Sequence, residues 1–226
     1  MSSSSRSLHI RISEGIGSVS ARIDRPADPT ALLVLGHGAG AGMTHPFLEA
    51  LTARLVQRGI ATLRYQFPYV EHGRKRPDRP SVLLPTVRAA MRQGLEEAGD
   101  LPVFAGGKSM GGRMTSLAVA DRPLDGVRGL IFVGFPLHAP GRDSADRADH
   151  LADVGLPMLF LQGTRDRLAN LELLRPVCES LGPSATLHVV EGGDHSFHVL
   201  KRSGRTDDEA LDELAERSAT WIAQAS

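Results

Sequence analysis

Apolar and polar positions follow two rhythms along this chain. Leu8–Ile12 and Val19–Ile23 change character at every second residue, with Gly15 and Gly17 between them. A period of two belongs to a strand with one wet face, so this stretch predicts an antiparallel hairpin. From Ala31 onward the pattern changes. Ala31–Leu35, Ile60–Arg64, Val103–Ala105, Arg128–Val133, Met158–Leu161 and Thr186–Val190 are short, mostly apolar runs, the mark of strands buried on both faces. Between them apolar residues recur at steps of three and four. That spacing predicts helices over about 45–58 and 82–98, from Met110 through Ala118, over Leu168–Leu181, and from Thr206 to Ile222. Thr206 with Glu209 forms a capping box for the last of these. Buried strands alternating with amphipathic helices imply an α/β fold: a mostly parallel central sheet, helices on both faces, and an antiparallel N-terminal hairpin. One domain is expected over residues 8–226, with residues 1–7 as a disordered tail. Gln66–Pro80 and Gly134–Leu156 are long polar connections, the second with room for one short helix near 145–154.

Composition narrows the function classes. The 26 basic and 26 acidic residues cancel, so no global field favours nucleic acid or an anionic membrane. A single cysteine, Cys178, excludes an internal disulfide framework. No apolar stretch has the length of a membrane span, and the serine-rich start has no apolar run behind it. A soluble, cytoplasmic protein is expected; oligomeric state stays open.

The chemistry centres on Val103–Arg113. Gly107-Lys108-Ser109-Met110-Gly111 is a G-x-S-x-G at a junction of strand and helix, which lifts a serine hydroxyl above the sheet on a sharp turn. A serine needs a base to take its proton and a carboxylate to orient that base. Two later strands supply candidates just past their ends: Asp166, after Met158–Leu161, and His195, after Thr186–Val190. Asp194 and His198 are the rivals. Asp194 is the weaker because sequence neighbours seldom turn side chains toward each other. Ser109, Asp166 and His195 are thus the expected catalytic residues. The backbone N–H groups of Met110 and of Ala39, in the glycine-rich loop His37–Gly42, are the expected oxyanion hole.

Two other motifs fail. Gly107-Lys108-Ser109 ends like a P-loop, yet Pro102 stands where that motif needs glycine. The Gly38–Gly42 run misses the dinucleotide fingerprint, and the next strand ends in Arg64-Tyr65 with no acidic residue for a ribose.

With Gly36-His37-Gly38-Ala39-Gly40, Arg64 with Phe67-Pro68-Tyr69, Gly106–Arg113, Leu161–Asp166 and Gly193–Phe197, the chain resembles the α/β-hydrolases from about Leu8 to its end. It is similar in particular to the compact family of testis-expressed and NSL-complex-subunit-3-like proteins, neighbours of the dienelactone hydrolases. The resemblance implies a carboxylesterase-like serine hydrolase that acts on a small-molecule ester, thioester or similar acyl bond. That chemistry needs no cofactor, and the sequence shows no metal-ligand spacing, so no metal is expected. The resemblance also implies an alternative, because the family includes complex subunits: a non-catalytic binding protein. Gly134–Leu156 is too short for the cap domain that many α/β-hydrolases insert there.

Overall fold

The structure, a computed structural model, describes residues 3–225. The strands are β1 (Ser3–Ser13), β2 (Gly17–Pro26), β3 (Ala31–Gly36), β4 (Ile60–Tyr65), β5 (Val103–Lys108), β6 (Val127–Val133), β7 (Met158–Gly163) and β8 (Ala185–Val190). They make one sheet in the order β1-β2-β4-β3-β5-β6-β7-β8. The hairpin and its junction to β4 are antiparallel; every other pairing is parallel. The helices are α1 (Pro46–Gln57), α2 (Pro68–Glu71), α3 (Pro80–Ala98), α4 (Met110–Asp121), α5 (Leu171–Leu181) and α6 (Asp207–Ala225), with a 3-10 helix at Asp146–Asp153 inside the expected polar connection. Among the described residues no helix is long and apolar enough to cross a membrane.

The period of two sorts side chains into two cores. Leu33, Leu35, Ile131, Val133, Leu159 and Leu161 pack with Leu51, Leu55, Leu214 and Trp221 of α1 and α6. Their neighbours Leu32, Val34, Leu130, Phe132, Met158 and Phe160 face the opposite core, with Met91, Met114 and Leu174 of α3, α4 and α5. Each fully buried Leu or Phe stabilises the fold by about 1.5–3 kcal/mol before entropy is counted. The capping box forms as expected: Glu209 N–H donates to Thr206 Oγ1 at 3.2 Å, and Thr206 N–H donates to Glu209 Oε2 at 2.7 Å.

Two expectations need correction. Residues 3–7, expected as disordered tail, extend β1, pairing Ser3 with Pro26 and Arg6 with Ile23. Strand pairing uses backbone groups and needs no apolar side chain. Here Ser5 Oγ also donates to Asp24 Oδ1 at 2.6 Å, and Arg6 pairs with Glu97. Met1 and Ser2, the rest of the expected tail, lie outside the described residues. Second, the Gln66–Pro80 connection contains α2, whose Glu71 accepts from both the N–H and the hydroxyl of Ser20 in β2.

Candidate active site

Parallel strands deliver their carboxyl ends to one edge, and β3, β5, β6, β7 and β8 all end there. In register, Gly36 sits beside Gly107, Lys108 beside Val133, and Gly163 beside Val190. The loops beyond these ends carry the candidate chemistry.

Ser109 joins β5 to α4 with φ 51° and ψ −115°. This region is unfavourable for an L-residue and costs of order 1–3 kcal/mol. It is held on both sides: Ser109 N–H donates to Val133 O at 3.1 Å, and Ser109 O accepts from Arg113 N–H at 3.1 Å. The flanking glycines are required by space. A Cβ on Gly107 or on Gly111 would lie 2.3 Å from Gly36 O, so the elbow packs backbone to backbone on the end of β3.

Asp166, at the turn after β7, has a fully buried side chain. Its Oδ1 accepts from Leu168 N–H at 2.8 Å, and its Oδ2 from Gln162 Nε2 at 2.5 Å. Oδ2 also lies 2.7 Å from His195 Nδ1. His195 Nε2 lies 2.8 Å from Ser109 Oγ. With a carboxylate on Nδ1, the imidazole carries its proton there and leaves Nε2 free to accept from the serine hydroxyl. The structure thus brings together Ser109, Asp166 and His195, 86 and 29 residues apart across the two contacts.

The rivals stand elsewhere. Asp194 Oδ1 accepts from the N–H groups of Ser196 (2.8 Å) and His198 (3.0 Å), shaping the loop that carries His195. His198 pairs with Asp207 at the surface, at 2.7 Å. A second serine–histidine contact, Ser116 Oγ to His150 Nε2 at 2.7 Å, differs in kind. Ser116 is buried in the middle of α4 and also donates to Arg113 O, and burial with the nearby Arg113 charge pushes His150 down to about 4. No carboxylate hydrogen-bonds that ring among the described contacts, and no strained turn presents the hydroxyl.

The expected oxyanion loop is braced by His37. Phe67 N–H donates to its Nε2 at 3.1 Å, so the proton sits on Nδ1, which donates to Gly38 O at 2.8 Å. Burial holds this ring neutral, its pKa lowered to about 4. Ala39 lines the cavity above Ser109, and Met110 opens α4, where first-turn N–H groups have no intrahelical acceptor.

That cavity, about 320 Å³, is lined by Ala39, Ala41, Phe47, Leu48 and Leu168 around Lys108, Ser109 and His195. Met43, Phe135, Leu137 and Phe197, adjacent in sequence to the motif loops, are not in the lining; the last three are buried in the cores. Neither Gln66–Pro80 nor Gly134–Leu156 contributes to it. A larger cleft of about 570 Å³ lies between the hairpin and α1. Its charges neutralise each other, Arg64 on Asp24 at 2.8 Å and Arg22 on Asp24 at 3.4 Å, and the serine-histidine-aspartate cluster is not on its walls. The sequence missed Gln162 as the anchor of Asp166, and Leu168 as both wall and N–H donor. A lone glutamine ending an otherwise apolar strand was the available signal for the first.

A family model described as an alpha/beta hydrolase domain matches residues 29–223. Among solved structures, a dienelactone hydrolase from Anabaena variabilis is 20% identical, with 100% of this chain and 99% of that one covered and a TM-score of 0.78. An α/β serine hydrolase homologue from Coxiella burnetii is 20% identical over 95% of this chain and 96% of that one, with a TM-score of 0.72. A serine hydrolase without a lid from Xanthomonas campestris is 20% identical over 95% and 94%, with a TM-score of 0.69. At this identity the likeness is one of fold.

Proposed function

The chain belongs to the α/β-hydrolase domain family, and from that premise we propose that it is a carboxylesterase-like serine hydrolase working through Ser109, His195 and Asp166. One observation carries the reading: His195 bridges Ser109 Oγ and Asp166 Oδ2 through its two ring nitrogens, at 2.8 and 2.7 Å.

The steps follow from these contacts. Ser109 Oγ attacks an acyl carbon while His195 Nε2 takes its proton. The carbonyl oxygen becomes an oxyanion facing the N–H groups of Ala39 and Met110, each worth about 3 kcal/mol of barrier. The tetrahedral species collapses; the bond to the leaving group breaks, and His195 returns the proton to it. Water, deprotonated by His195, then attacks the acyl-serine and regenerates Ser109. Asp166 holds the imidazole in the required tautomer and stabilises its protonated form. The walls contributed by Ala39, Ala41, Phe47, Leu48 and Leu168 favour an apolar acyl or alcohol group of modest size, since 320 Å³ is at the small end for a ligand site.

Turnover of p-nitrophenyl esters of increasing acyl length tests this. Acetate and butyrate esters are expected to be cleaved faster than octanoate and longer ones. Ser109→Ala is expected to lower kcat by roughly 10⁴-fold or more. Equal turnover by wild type and Ser109→Ala would reject the assignment.

A further inference from the structure

We propose that Lys108 is a positioning residue for the same site: its buried ammonium balances the charge of Asp166, so that His195 stays an unprotonated base. The inference rests on the serine-hydrolase reading of Ser109, His195 and Asp166.

Lys108 is the last residue of β5, directly before the nucleophile, and lines the cavity. Its stem is half-buried, but Nζ is fully buried and has no hydrogen-bond partner among the described residues. Nζ lies 5.9 Å from the ring centroid of Phe47 and 5.7 Å from that of Phe197. Those rings stack on each other at 6.0 Å. A methyl placed on Gly134 would touch Nζ at 3.0 Å and the His195 ring at 3.6 Å, so ammonium and imidazole border the same small gap.

Burying an amine without a hydrogen bond is costly, and cation–π contact offsets only part of the cost. The rest of the compensation comes from carboxylates. Burial pushes Lys108 down to about 8, while Asp166 and Asp194 pull it back up. At neutral pH the side chain therefore keeps most of its charge. The groups around His195 are Asp166 from the loop after β7, Ser109 and Lys108 at the end of β5, and His45 across the cavity; Asp194, next to it in the loop, turns its carboxylate to the N–H groups of Ser196 and His198. The Asp166 carboxylate, cut off from water, draws positive charge from whatever can supply it. With Lys108 present, a standing ammonium supplies it and also repels a proton on the neighbouring ring. Without Lys108, the cheapest source is a proton on His195 Nε2, the atom that must accept from Ser109.

The test is the pH profile of kcat/KM between pH 5 and 8 on p-nitrophenyl acetate, for wild type, Lys108→Met and Lys108→Arg. Methionine keeps the length of the stem and removes the charge. Lys108→Met is expected to move the acid limb to higher pH by roughly one unit, and Lys108→Arg to leave it near wild type. A lower kcat in Lys108→Met with an unmoved acid limb would mean a packing role only and would overturn the proposal. NMR titration of the His195 ring, on Lys108→Gln should the methionine variant fold poorly, is expected to show the same upward shift. An unshifted ring would overturn the proposal without reference to turnover. Wild type that cleaves no ester would count against the hydrolase reading, and the NMR titration would still decide the role of Lys108.

Discussion

At the scale of single residues, Asp166 is the most tightly specified group in the site. Both its oxygens are in use, one on Leu168 N–H and the other on Gln162 and His195. An amide there cannot satisfy all three donors. If its NH₂ faces His195, Nδ1 must become the acceptor and the proton moves to Nε2, where Ser109 needs an acceptor. If it faces Leu168, two donors meet. On the proposed reading, Asp166→Asn is expected to fold and to lose about 10⁴-fold in kcat, as loss of the carboxylate beside the histidine does in Ser-His-Asp triads; a loss under tenfold in a steady-state assay would contradict the proposed role. The contact of Asp166, rather than Asp194, with His195 was legible in the sequence because adjacent side chains diverge, and the structure gives Asp194 two loop N–H groups instead. Gln162 and the burial of Lys108 Nζ were not legible. They depend on which loops close over the strand ends, and spacing along the chain carries no record of that.

At the scale of elements, the elbow between β5 and α4 is where local conformation and packing are coupled. A Cβ on Gly107 would meet Gly36 O at 2.3 Å and carry a left-handed φ of 156° as well. The contact is with backbone, so no rotamer change relieves it. Gly107→Ala is expected to destabilise the fold by about 3 kcal/mol, read as a lowered urea midpoint, and to displace Ser109 from His195. An alanine variant with wild-type midpoint and turnover would show that β3 can yield. The strands that carry this site were legible because their alternation is strong: odd positions of β3 face α1 and α6, even positions face α3 and α4. The first residues of β1 were not legible. A run of serines has no period, and the pairing of these residues with β2 is decided by backbone partners supplied 15 residues and more away.

At the scale of the whole molecule, one buried and one half-buried histidine link stability to pH. Burial lowers both His37 and His150 to about 4, from an ordinary value of 6.5. Between those values the unfolded chain binds protons that the folded chain does not, so the stabilising contribution is complete above about pH 6.5 and is lost as pH falls toward 4. The urea midpoint is expected to be lower at pH 5 than at pH 7, and His150→Gln to reduce that difference; identical midpoints would mean the rings protonate in place. The larger assembly that matters most is the convergence of three distant loops, after β5, β7 and β8, on one serine hydroxyl. Labelling with a fluorophosphonate, mapped by mass spectrometry on folded wild type beside Ser109→Ala, tests that convergence directly. The expected result is a single adduct on Ser109, absent from Ser109→Ala. Folded wild type that takes no label, or takes it on another residue such as Ser116, would contradict an activated Ser109.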